Sequence, residues 1–356
     1  MTYLFDGAID RLRPMLDLPD LRGTKYDLLE MVARGGMGTI YLAEDRDLQR
    51  RVALKVLTLP DVSGRMVERM RNEARIVARL EHPSIIPIHD VGQLPDGRVY
   101  YTMKFVQGRT MTAWLKDDPP LASRLRLLQQ VCEGLAFAHS RGIIHRDLKP
   151  DNIMVGSFGE VLVMDWGVAK EIGSVPRADR ASVAAGLPED QPPAGETGDG
   201  TTARGAIVGT PAFMSPEQAA GNNAEVDERS DVYMLGSTLF YALTGKAPFD
   251  GLNAADRHGS AGTGNAPSPR RFDESIPKAL AAICLKALAR DKARRYQGAL
   301  ELSADLERLL NQEPVLAYPE NVVQRSARWL RKHQFIVVIL ITYLILRALT
   351  FFFLRR

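Results

Sequence analysis

The sequence predicts an α+β fold of two lobes, a strand-rich front and a helix-rich back, and three observations predict it. Between positions 26 and 105 apolar residues fall in short runs punctuated by glycines and by Pro95-Asp96-Gly97, the pattern of half-buried strands and their turns. After Gly108 the apolar residues move to spacings of three and four, the period of helices. The 356 residues are 45% hydrophobic and 25% charged, enough for one large domain or two lobes around a buried core.

In order, 26–32 leads into a glycine cluster, 39–43 leads out of it, and 51–57 makes a third strand. A helix is expected over 67–80, with Met66, Met70, Glu73, Val77 and Leu80 on one face. Strands follow over 86–91 and 99–105. The change of character near Lys104 to Gly108 marks a hinge. Behind it, 121–141 places Leu125, Leu128, Cys132, Leu135 and His139 at helical spacing and ends on Gly142, a C-terminal cap. Helices are also expected over 231–244, 276–288 and 303–310. The stretches 173–205 and 253–269 are rich in Gly, Ala, Pro and acidic residues, a composition that predicts mobile loops. The resulting division is 1–25 as an extension, 26–107 as the front lobe, 108–311 as the back lobe, 312–334 as a basic linker and 335–354 as an apolar tail.

A formal charge of +3 with scattered basic residues argues against nucleic-acid binding. Two cysteines, Cys132 and Cys284, both in helical patterns, are expected as small buried side chains rather than a disulfide or zinc framework. Positions 1–13 lack the basic start and apolar core of a signal peptide.

The chemistry begins at Ala33-Arg34-Gly35-Gly36-Met37-Gly38-Thr39-Ile40-Tyr41. A glycine turn between two strands lets backbone N–H groups approach phosphates, although such turns are also common as plain structure. It gains meaning from Lys55, which interrupts the apolar strand Val52-Ala53-Leu54-Lys55, because a buried ammonium needs a partner. Glu73, on an otherwise apolar helical stripe, is that partner. Together they explain two misplaced charges, with the lysine reaching the α- and β-phosphates of a nucleotide.

Farther on, His145-Arg146-Asp147-Leu148-Lys149-Pro150-Asp151-Asn152 collects the remaining functional groups. Asp147 is placed to accept a hydroxyl proton, and Lys149 to screen a transferring phosphoryl group. A hairpin through Ile153-Met154-Val155 and back along Val161-Leu162-Val163-Met164 returns to Asp165. That return brings Asn152 and Asp165 to one end as oxygen ligands suited to Mg²⁺.

On these motifs, 26–310 resembles the eukaryotic-like serine/threonine protein kinases of bacteria, whose signature set is well defined. The resemblance implies a two-lobed kinase fold, ATP and Mg²⁺ (or Mn²⁺) as cofactors, and Ser/Thr residues of proteins as substrates. It puts Met103 at the gatekeeper position and Lys104, Phe105 and Val106 at the adenine hinge. Ala33, Gly35, Gly36, Met37, Gly38, Ile40, Ala53, Lys55 and Met154 would complete the nucleotide pocket. It matches Asp165-Trp166-Gly167 to Asp-Phe-Gly and Ser215-Pro216-Glu217 to Ala-Pro-Glu. It implies a Glu217–Arg295 pair, makes Asp231 the brace of the catalytic loop, and leaves His145 as scaffold. Lys149 and Gly209-Thr210-Pro211 resemble the serine/threonine branch. The sequence departs from the family at Ala33, Trp166, Lys104 and the glycine-rich 253–269, where the family docks substrate.

Arg146 is expected to pair with a phosphate on the activation segment. Thr201 and Thr202 are candidate autophosphorylation sites, or else ordinary loop threonines. A homodimer would serve trans-autophosphorylation. Finally, 335–354 as one helix would be ~30 Å long, enough to span a bilayer, whereas up to Leu346 it reaches only ~18 Å. Spanning needs Arg347 to snorkel toward Arg355 and Arg356. Arg325, Arg328, Arg331 and Lys332 just before it would keep the rest cytoplasmic. An interfacial helix and a docked core helix are the competing readings.

Overall fold

The structure, a computed structural model, describes residues 18–35, 38–57, 64–167, 169–171, 211–250, 266–319 and 334–354. The front lobe is built from β1 (Tyr26–Arg34), β2 (Gly38–Asp45), β3 (Arg50–Leu57), helix α1 (Arg65–Ala78), β4 (Ile88–Gln93) and β5 (Val99–Lys104). Its strands pair antiparallel in the order β1-β2-β3-β5-β4. Because strand side chains alternate, each face of this sheet buries its own set. Val52, Leu54 and Val56 join Tyr26, Tyr41 and Tyr100 in an outer cluster sealed by Leu21. Ala53 and Leu57 face inward with Val99, Tyr101 and Met103 against the apolar side of α1. Lys55 falls on this inner face by the same alternation.

The back lobe starts with β6 (Gly108–Thr110) and α2 (Met111–Leu115), followed by α3 (Leu121–Ser140) and β7 (Ile143–Ile144). Next come β8 (Ile153–Gly156), β9 (Val161–Val163), β10 (Lys170–Glu171), α4 (Pro216–Ala219), α5 (Glu228–Thr244), α6 (Lys278–Ala287) and α7 (Ala299–Leu310). β6, β8 and β9 form one small sheet, and β10 pairs with β7. Every residue of α5 from Ser230 to Phe240 is buried. A helix buried on all sides is a central one, and α3, α6 and α7 pack around it. Gly236 permits the α6 crossing, since a Cβ there would lie 2.8 Å from the Ala287 Cβ.

Several expected boundaries shift. α5 begins one turn earlier than the apolar spacing predicts, because Asp227 caps it reciprocally with Ser230. α7 also begins earlier, with Ala299 and Leu302 buried. β4 lies at 88–93 rather than 86–91. Met66, expected on the apolar stripe of α1, is 41% exposed, while Met70, Val77 and Leu80 are buried. Cys132 and Cys284 are free and buried, as their helical setting predicts.

The last helix, α8 (Gln334–Leu354), covers the expected apolar tail over 21 residues. Its side chains are described only from 337 to 347, and among the described residues no helix is long and apolar enough to cross a membrane. The described residues therefore do not show the expected span. Gly36, Met37, Thr201, Thr202, Thr210, the insert 173–205 and all but the end of the 253–269 stretch lie outside the described residues.

Candidate active site

β2 and β3 pair Ile40 with Lys55, and β3 and β5 pair Lys55 with Tyr101. The turn before β2 is closed by Gly35 N–H donating to the Gly38 carbonyl at 2.9 Å. Position 38 has no room for a side chain, because a Cβ would lie 2.5 Å from the Val56 carbonyl oxygen. The sheet itself thus requires this glycine. Ala33, in the exposed part of β1, pairs with Ile40.

Lys55 and Glu73 meet as expected. The ammonium donates to Glu73 Oε1 at 3.0 Å and lies 3.7 Å from Asp165 Oδ1. Burial works against the charge on Lys55, but the groups around it, Glu73 and Asp165 among them, hold it well above the usual lysine range. Tyr101, unexpected from the sequence, donates its hydroxyl to the same Glu73 Oε1 at 2.8 Å. Glu73 Oε2 is buried without a hydrogen-bond partner among the described residues.

The catalytic loop hangs from α5. Asp231, fully buried, accepts the backbone N–H groups of His145 at 2.9 Å and Arg146 at 3.0 Å, and bonds His139 Nε2 at 2.7 Å. Burial alone would raise its carboxyl pKa, but His139, His145 and the Arg146 N–H outweigh that and hold it below the usual carboxylate range. His145 in turn bonds the Met164 carbonyl at 3.0 Å and packs its ring on Trp166 with centroids 4.6 Å apart. Its Nδ1 accepts the Asp147 N–H at 3.2 Å. Arg146 and Asp165 both have left-handed backbones, with φ of 70° and 57°. Non-glycine residues hold such conformations where their surroundings impose them.

Within the loop, Lys149 Nζ donates to Asp147 Oδ2 at 3.0 Å. Asn152 Nδ2 donates to the Asp147 carbonyl at 2.8 Å and to Oδ2 at 3.3 Å. Those two bonds orient the Asn152 amide and leave its Oδ1 as the available oxygen. The hairpin register pairs Ile153 with Val163, and Met164 N–H reaches the Asn152 carbonyl at 2.8 Å. Asp165, its side chain 47% exposed, follows directly. Among the described residues no group of three or more His, Cys, Asp or Glu could hold a metal. The Oδ1 of Asn152 and the carboxylate of Asp165 are hard oxygen donors of the type that Mg²⁺ accepts.

Met103 is buried opposite Ala53, while Phe105 and Met154 pack partly buried against the same core. Arg146 is largely buried, with Nη2 donating to Asn223 Oδ1 at 2.9 Å and Nε unpartnered among the described residues. Gln218 Nε2 donates to the Arg146 carbonyl at 2.7 Å. Glu217 receives both Arg295 Nη atoms, at 2.8 and 2.9 Å, and the Ser230 hydroxyl at 2.6 Å.

Tyr101 and Gln218 were not singled out from the sequence, and His139 was named only for its place on a helical stripe. A signal existed for Tyr101, because strand alternation puts it on the face of Lys55. None existed for His139 or Gln218, whose roles depend on how distant segments pack. A cavity of about 490 Å³ between α1 and β4 is lined by Arg71, Arg75, His89 and Asp90 among others, and holds none of these site residues.

The chain is similar to known proteins over most of its length. The model of the protein kinase domain matches residues 26–305. Serine/threonine-protein kinase PrkC of Bacillus subtilis is 34% identical over 290 residues, covering 80% of this chain and 40% of that protein. Serine/threonine-protein kinase PknB of Mycobacterium tuberculosis is 36% identical over 307 residues, covering 83% of this chain and 44% of its own length. The chain thus spans less than half the length of these relatives. The crystal structure of the M. tuberculosis PknI kinase domain superposes with a TM-score of 0.57 at 25% identity, covering 81% of this chain and 96% of that one.

Proposed function

The chain belongs to the protein kinase domain family, and from that premise we propose that it is an ATP-dependent serine/threonine protein kinase of bacterial signalling. One observation carries the proposal: contacts run from Lys55 through Asp165 and the Asn152–Met164 hairpin to Asp147 and Lys149. The groups for holding phosphates, for placing a cation and for receiving a proton therefore meet at one edge between the lobes.

In this reading Asp147 accepts the proton of the incoming Ser or Thr hydroxyl and points its oxygen at the γ-phosphorus. Lys149, already bonded to Asp147, screens the charge on the phosphoryl group in transit. Lys55 grips the α- and β-phosphates while Glu73 holds Lys55. Asn152 Oδ1 and Asp165 would hold Mg²⁺, which would supply positive charge against the phosphates. Mn²⁺ fits the same donors. Ile40, Ala53, Met103, Phe105 and Met154 would enclose the adenine.

Regulation follows the same logic. Arg146, with its buried Nε unpartnered among the described residues, would receive a phosphate made by autophosphorylation at Thr201 or Thr202, in trans within a homodimer. Thr210 would bond Asp147 and Lys149. The tail 335–354 would anchor the chain by a single pass with the kinase in the cytoplasm. Its support is the apolar run of 335–354 in the sequence and the basic residues that precede it.

Labelled ATP with Mg²⁺ and a generic basic protein tests the activity: the unaltered chain transfers label, whereas Asp147→Asn and Lys55→Met lower transfer by about a hundredfold or more. Absence of label from the unaltered chain would leave a nucleotide-binding scaffold instead. For the anchor, carbonate washing of membranes should leave the chain in the pellet, and its release would rule out a spanning tail.

A further inference from the structure

Tyr101 occupies a position that simple packing does not explain. It lies in β5, on the inner face of the sheet between Val99 and Met103, and is 3% exposed. An apolar side chain would fill such a site without desolvating a polar group. A buried hydroxyl is costly unless it is bonded. This one is bonded to Glu73 Oε1 at 2.8 Å, and it must be the donor because a carboxylate only accepts.

The same oxygen receives Lys55 Nζ at 3.0 Å, and that ammonium sits 5.4 Å from the centroid of the Tyr101 ring. Lys55, Glu73 and Tyr101 therefore close a triangle in which every pair is in contact. Two of its corners, Lys55 and Tyr101, are register partners on adjacent strands. The third, Glu73, belongs to α1, which the sheet must hold from outside.

The geometry matters because Lys55 has two duties. An ammonium that turns toward phosphates loosens its hold on the glutamate. A hydroxyl on a central strand has no second duty, so it can keep Glu73 in place while Lys55 is shared. We propose that Tyr101 is a positioning residue that fixes Glu73, and through it Lys55, before nucleotide arrives. This rests on the reading of Lys55 as a phosphate-binding group. It adds that the front lobe of this chain carries its own latch for α1.

The Oε2 of Glu73, without a hydrogen-bond partner among the described residues, agrees with a latch. A Cβ on Gly167 would lie 3.1 Å from it, so its free acceptor faces the Asp165-Trp166-Gly167 turn. The oxygen bound by Tyr101 and Lys55 anchors the glutamate, and the other remains open to a donor from that turn.

The test uses the full chain and the affinity for a fluorescent ATP analogue with Mg²⁺, which needs no turnover. Tyr101→Phe keeps the ring and removes the hydroxyl. It should weaken affinity about fivefold and lower kcat/KM for ATP about tenfold. In a Lys55→Met background the same change should alter affinity by less than about twofold, because the hydroxyl acts through the lysine. Tyr101→Leu, which also removes the ring, separates packing from the hydroxyl by the further loss it causes. The inference is overturned if Tyr101→Phe binds the analogue as well as the unaltered chain, or if it loses equally with and without Lys55. Failure of label transfer by the unaltered chain would overturn the kinase reading and leave this measurement intact.

Discussion

Two buried glutamates, each facing a cation, behave differently in this molecule. Glu217 is saturated: Arg295 grips both its oxygens and Ser230 adds a third bond. Arg295 spends its other donors on the carbonyls of Ala289, Arg229 and Arg290 and lies over the Tyr233 ring. Glu73 is half satisfied, with one oxygen shared by Lys55 and Tyr101 and the other without a partner among the described residues. Lys55 also leans toward Asp165 at 3.7 Å. The first pair has nothing left to offer a ligand, and the second has unused valence at both ends. A buried ion pair with every atom bonded is scaffold. One with atoms to spare, at the edge of a cleft, is built to be shared.

This contrast breaks if the two pairs respond alike to losing a partner. Arg295→Met leaves Glu217 buried without its cation, and breaking such a pair costs about 3–5 kcal/mol. Thermal unfolding should show a large fall in midpoint, with activity lost because the fold is lost. Lys55→Met should do the reverse, keeping the unfolding midpoint within a few degrees while transfer falls about a hundredfold. A collapse of stability in Lys55→Met would mean that its pair is scaffold too.

A smaller effect sharpens the comparison through pH. Burial pushes the Glu217 carboxyl upward, but Arg295, Ser230 and a backbone N–H outweigh it and hold the group below its ordinary range. A carboxylate depressed in the folded state contributes stability that is present above the unfolded pKa, roughly 4.3, and lost as pH falls through the folded value. Asp231 is depressed in the same direction. The unfolding midpoint should therefore drop as pH is lowered from 6 through the range below about 4. Glu217→Gln, measured alongside, should show a lower midpoint at neutral pH and a shallower acid slope. An equal slope would mean that the pair contributes nothing to acid stability.

Much of the fold was legible because strand alternation and helical spacing are local. A lysine inside the apolar run 52–57 needed a partner, and helical spacing put Glu73 among apolar neighbours, so two side chains 18 positions apart could be paired on paper. The loop from His145 to Asn152 was legible because its groups sit close together in the chain. What escaped depended on packing between remote segments. His139 reaches Asp231 across 92 positions and Gln218 reaches Arg146 across 72, and no local pattern announces either contact. Met66 shares the period of the α1 stripe yet faces solvent, because periodicity fixes a face and not how far the neighbouring lobe covers it. The early start of α5 at the Asp227–Ser230 cap shows that a cap, rather than the first apolar residue, can set where a helix begins.

Trp166 has a consequence of another kind. Its indole is 1% exposed, packed on His145, and donates Nε1–H to the Val163 carbonyl at 3.4 Å, while its neighbour Asp165 stands in the cleft. Turning Asp165 away would carry that indole out of an apolar setting into water, where tryptophan emission moves to longer wavelength. The bulk that resists the motion also makes it visible, so this turn carries its own optical probe and needs no attached dye.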